Sequence, residues 1–137
     1  MAYDFDGTDD TISVADTTFD FERNNTFSAY CWIYVDTLAA DKALISKLDS
    51  AAPNNGWEMQ LISATSKLRV NLVSNYALPN RIVVDTTNTI GTAAWTHVGF
   101  TYDGSSTAAG IKMYINGTLE VNVVETDVLS ATMLNNI

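Results

Sequence analysis

One cysteine, two prolines, one histidine and seven basic residues are all that 137 positions hold of these types, and each scarcity excludes something. With Cys31 alone, no intramolecular disulfide and no cysteine-built metal cluster can form, so stability has to come from packing. Cys31 lies in the strand-like run Phe27–Val35, where a buried, inert thiol is expected rather than a nucleophile. Seven Lys and Arg against sixteen Asp and Glu leave a net charge of −9. Nucleic-acid binding needs a basic footprint that is missing here, and an anionic membrane surface is disfavoured for the same reason. No apolar run approaches the about 20 residues of a membrane span. The opening Met1-Ala2-Tyr3-Asp4-Phe5-Asp6 has no basic n-region and no apolar h-region, so no signal peptide is visible. No stretch of ten residues carries helical periodicity.

What is present reads as one domain, residues 1–137, built of short strands. Hydrophobic residues make up 47 % and charged ones 17 %, so the chain can bury a core of its own. Runs rich in Val, Ile, Thr and aromatics predict strands at Ala2–Phe5, Thr11–Val14, Phe27–Val35, Ala43–Leu48, Trp57–Ile62, Lys67–Leu72, Arg81–Asp85, Trp95–Tyr102, Ile111–Ile115 and Leu119–Val124. Asn116-Gly117 predicts a tight hairpin, because both central residues of a type I′ turn need positive φ. Asp6-Gly7, Asn55-Gly56 and Asp103-Gly104 mark further turns, and Pro53 and Pro79 both fall in loops. Twelve of the sixteen acids are Asp, six of them within residues 1–20, which suits turns better than helices. The spacing is that of an all-β sandwich or barrel.

Six segments, in order, carry a family resemblance. Phe5-Asp6-Gly7-Thr8-Asp9-Asp10-Thr11-Ile12 resembles the FDG-x-DDY opening of laminin-G-like domains, and Phe27–Tyr34 resembles their FTISAWV strand. Leu44-Ile45-Ser46-Lys47 is similar to LISK, and Gly56-Trp57-Glu58-Met59-Gln60-Leu61 to GWEL. Trp95–Gly104 is similar to WHHVAFTYDG, and Ile111–Gly117 to VKLYVNG. The wider group is the concanavalin A-like lectin/glucanase superfamily, which includes pentraxins. The resemblance implies an antiparallel jelly-roll β-sandwich in a binding or adhesion role. Such domains usually run on into one more strand, which here is lacking before Ile137. Either the chain is truncated at its C-terminus, or another chain completes the sheet, or the fold tolerates the loss. Because an uncapped edge leaves backbone groups unpaired, a homo-oligomer through an open sheet edge is expected.

Catalysis finds little support. Laminarinase-type members of the group carry Glu-x-Asp-x-Glu on one strand face, whereas Glu125-Thr126-Asp127-Val128-Leu129 lacks the third acid. His97 is the only histidine, and no nucleophile elbow occurs, so the expectation is a protein that is not an enzyme. Asp6, Asp9 and Asp10 supply three carboxylates within five positions, the oxygen donors that calcium takes; the alternative is that they brace their own turns. A sugar site pairs an aromatic face with amides and charged groups. Asn54, Asn55, Trp57, Tyr76 and Arg81 lie in segments of that composition and are the candidate ligand-binding residues, while Trp32 and Trp95 are expected in the core. Two functions stay open. One is a module binding a glycan or glycoprotein surface, assisted by calcium. The other is a structural or assembly protein, such as a phage virion decoration or tail-fibre domain. Either implies an extracellular or virion-surface setting.

Overall fold

The computed structural model describes residues 3–6, 9–14 and 19–135. Ala2 of the first predicted strand, Gly7 of the first predicted turn, Asp16 and Ile137 lie outside them.

Nine strands form. They are β1 (Phe27–Tyr34), β2 (Lys42–Leu48), β3 (Gly56–Ile62), β4 (Lys67–Asn75), β5 (Asn80–Thr89), β6 (Trp95–Tyr102), β7 (Ile111–Ile115), β8 (Thr118–Leu119) and β9 (Asn122–Asp127). A four-stranded sheet runs β1-β6-β7-β8 and a five-stranded sheet runs β2-β3-β4-β5-β9, with every pairing antiparallel. The two sheets stack as the concanavalin A-like sandwich that the resemblance implied.

Alternation explains the packing. Met59, Leu61, Leu68, Val70, Leu72, Ile82 and Val84 face inward from one sheet and meet Val98, Phe100, Tyr102 and Met113 from the other. Phe27 centres an aromatic cluster. Its ring stacks on Phe21 at 4.4 Å and meets Trp57, Phe100 and Tyr102 at 5.3–5.7 Å. The C-terminal segment closes one end of the sandwich. The Glu22 carboxylate accepts from the Thr132 hydroxyl and the Met133 N–H, and the Asn135 amide donates to the carbonyls of Lys47 and Asn55.

Three sequence expectations are corrected. Among the described residues of Ala2–Phe5 and in Thr11–Val14 no strand forms. There the Asp10 carboxylate accepts the Asp6 N–H at 2.9 Å, so local turn bonding replaces a ladder. The run Leu119–Val124 is divided. The type I′ hairpin forms as expected, with Asn116 at φ 50° and Gly117 at φ 77°. Only Thr118–Leu119 then pairs with β7, and the chain leaves this sheet to pair with β5 as β9. The Asn122 amide, bonded to the Ile111 carbonyl at 2.7 Å, holds the crossing.

Candidate functional site

β1 alternates two apolar sets. Ala29, Cys31 and Ile33 turn toward the core, while Tyr30, Trp32 and Tyr34 turn outward. In β6 the outward set is Trp95, His97, Gly99 and Thr101, and in β7 it is Lys112 and Tyr114. The register then assembles rungs across the sheet: Tyr34 beside Trp95, Trp32 beside His97, and Tyr30 beside Gly99 and Tyr114. The rings touch. Tyr34 meets Trp95 edge-on at 5.6 Å, Trp32 meets His97 at 5.1 Å, and Tyr30 stacks nearly parallel on His97 at 5.7 Å. Tyr114 lies 6.2 Å from Tyr30.

The result is an aromatic platform on the outer face of the four-stranded sheet. Trp32 is 63 % exposed and Trp95 53 % exposed, so the expectation that both belong to the core is overturned. Period-two alternation says which residues share a face, and here both faces of β1 are apolar. No Asp or Glu occupies an outward position of β1, β6 or β7.

Trp57 moves the opposite way. It is 3 % exposed, packs in the Phe27 cluster, and its indole N–H donates to the Phe19 carbonyl at 3.1 Å. It opens an inward row of β3 with its ring packed in the core, so it offers no exposed face for a sugar to stack on, which corrects its assignment as a ligand-binding residue. Asn54 and Asn55 are engaged internally. The Asn54 amide donates to the Asp49 carbonyl, and the Asn55 amide donates to the Leu134 carbonyl.

Tyr76 and Arg81 are brought together. The Arg81 guanidinium sits 4.4 Å over the Tyr76 ring and donates to the Tyr76 carbonyl. They lie beside a polar row on the outer face of the five-stranded sheet. Glu58 pairs with Asn71, whose amide donates to its carboxylate at 2.8 Å, and Arg69 grips Asp85 through two bonds of 2.6 and 2.8 Å. Burial pushes the Glu58 carboxyl above its ordinary value, against the Asn71 bond and the Arg69 charge. Burial, then the Glu58 charge, raises the Tyr76 phenol. These groups pair with one another, so this surface offers fewer free partners than the platform.

Asp6, Asp9 and Asp10 gather, with carboxylate oxygens within 4.8 Å of one another and all three side chains exposed. Oxygens at that spacing fit around one calcium ion, whose bonds are about 2.3–2.6 Å long. Asp103 is held in its own turn by Ser105, whose hydroxyl and N–H lower its carboxyl. Of the acids at Glu125-Thr126-Asp127, Asp127 accepts the Ala108 N–H and braces a 3-10 turn at Ala108–Gly110. The His97 ring stacks on Tyr30 and meets Trp32 at a tilt.

A laminin G-type family model described as the concanavalin A-like lectin/glucanases superfamily matches residues 6–135. The chain belongs to the concanavalin A-like lectin/glucanase superfamily. No curated protein matches it. Laminin G-like domains of this superfamily are generally binding modules without catalytic activity, and the family supports that role here. The signal for the platform was present in the sequence as Tyr30, Trp32 and Tyr34 at period two, opposite Ala29, Cys31 and Ile33.

Proposed function

We propose that this domain is a non-catalytic carbohydrate-binding module and that its contact surface is the aromatic platform. The observation that carries this reading is the exposure of Trp32, Tyr34 and Trp95 side by side on one acid-free sheet face. An aromatic ring facing water costs free energy unless something apolar covers it, and the C–H face of a pyranose does so while its hydroxyls stay hydrated. The His97 imidazole within the row and the tyrosine hydroxyls supply polar partners. The partner is a glycan or glycoprotein at an extracellular or virion surface. A glycan array tests the reading: hits lost on Trp32→Ala and Trp95→Ala support it, and hits indifferent to both variants oppose it.

Calcium is an auxiliary ligand in this proposal, held by Asp6, Asp9 and Asp10. Titration calorimetry with calcium after chelator treatment is expected to give one site, weakened by Asp9→Asn. No heat and no shift in melting would retire it.

An assembly role is favoured by one feature, the edge of the four-stranded sheet. Among the described residues β1 is one of its two edges, and its eight residues contain no charge and no proline, the usual guards against pairing with another chain. Beside it, Phe19, Phe21, Ala29, Ile45 and Trp57 line an open groove of about 310 Å³. In this reading a second copy pairs along β1. Sedimentation velocity tests it: a dimer dispersed by Ser28→Lys supports it, and a monomer at every concentration opposes it.

A further inference from the structure

We infer that the ligand of the platform is an extended, uncharged polysaccharide lying along β1 and covering several sugar units, in preference to a terminal sugar or a sulfated chain. This rests on the carbohydrate reading above.

Three features of the face select the ligand. The first is its length. From Tyr30 to Tyr34 the outward rings recur at every second residue, and four residue steps of a strand span about 14 Å. With Trp95 beside Tyr34 and His97 beside Trp32, rings occupy consecutive rungs along that line. A single pyranose covers one ring, so only a chain of sugars covers the row.

The second is its flatness. Gly99 stands in the middle of the face without a side chain, and Tyr30 lies across it, with its Cδ1 2.1 Å from where a Cβ at Gly99 would sit. The ring is thereby laid along the sheet and stacked on His97 with an interplanar angle of 8°. A lectin site for a terminal sugar needs walls that enclose it and read its last hydroxyls. Here the indole of Trp32 is more exposed than buried. Such a face reads repeating C–H surface, not a chain end.

The third is its charge. The platform holds no Asp or Glu and only Lys112 as a fixed cation, on a protein of net charge −9. A polyanion would meet repulsion from the whole protein and find no cluster of Arg and Lys to offset it. A neutral chain meets neither difficulty.

The experiment measures binding of neutral gluco- and manno-oligosaccharides of one to six units, with heparin as the polyanionic probe, on the whole chain at two salt concentrations. Affinity is expected to climb with chain length and then level off once the row is spanned. It is expected to change little with salt. Trp32→Ala is expected to weaken the longest oligosaccharide about tenfold, with Trp32→Phe recovering most of the loss. Melting curves of both variants check that the fold is intact, which the exposure of Trp32 makes the expected result. Equal binding of one and six units, or preference for heparin, overturns this inference and leaves the carbohydrate reading standing. Failure of the folded protein to bind any of the probes overturns both.

Discussion

Tyr30 lies directly across Gly99. A Cβ at Gly99 would fall 2.1 Å from Tyr30 Cδ1 and 2.6 Å from the Ala29 carbonyl oxygen. The close approach lets the Tyr30 ring stack on His97. Gly99→Ala must therefore move either a ring or a backbone strand. Overpacking of this kind costs about 1–3 kcal/mol. Urea denaturation is the check, and a variant as stable as the parent would contradict the geometry. The same substitution is expected to weaken glycan binding, because it lifts one ring out of the row.

Two of the three tryptophans give a second prediction. Trp57→Ala empties a site in the Phe27 cluster and strands the Phe19 carbonyl that its indole satisfied. Its expected cost is about 3–5 kcal/mol. Trp32→Ala removes a ring that faces water, so its stability is expected within about 0.5 kcal/mol of the parent. Ligand affinity is expected to reverse that order among variants that remain folded. Chemical denaturation and glycan titration on both variants read the two scales separately.

That reversal locates what was legible in the sequence. Trp95–Tyr102 and Ile111–Ile115 have the bounds that alternation and turn chemistry predicted, and the Asn116-Gly117 hairpin follows from its need for positive φ. Such signals are local, so a sequence carries them in full. Which face of β1 turns inward is decided by the other sheet, because both of its rows are apolar and Ala29, Cys31 and Ile33 are the ones packed against the core. The division of Leu119–Val124 is equally non-local. β5 competes for Asn122–Asp127 across the sandwich, and nothing within that run announces it. Asp6, Asp9 and Asp10 gathered as their spacing suggested, since turn residues a few positions apart need no distant partner to meet.

Glu58 makes stability depend on pH in a defined direction. Burial raises its carboxyl above the ordinary 4.5, so the folded state favours the neutral form. Its contribution is fully present below 4.5 and is lost as pH rises from there through the folded-state value. Glu58→Gln stays neutral throughout and keeps an oxygen for the Asn71 amide. The variant is therefore expected to match the parent at acid pH and to exceed it increasingly toward neutrality. Melting temperatures across the range from pH 3 to 8 decide it. A constant difference across that range would mean that the carboxyl does not titrate differently on folding.

Cys31 provides a last prediction, because it is both the only cysteine and a residue of the edge strand β1. Its side chain turns inward beside Ala29 and Ile33, and burial raises its thiol from 9.0 to about 11. Thiolate is the reactive form, so alkylation of the native protein near neutral pH is expected to be far slower than alkylation in urea. The sign on stability follows. Below 9.0 the thiol is protonated in both states, and from there to about 11 only the unfolded chain loses its proton, so stability falls as pH rises through that window. Cys31→Ala is expected to flatten that fall. Equal alkylation rates for the native and unfolded chain would show the thiol open to water, and with it a β1 whose inner face does not pack on the core.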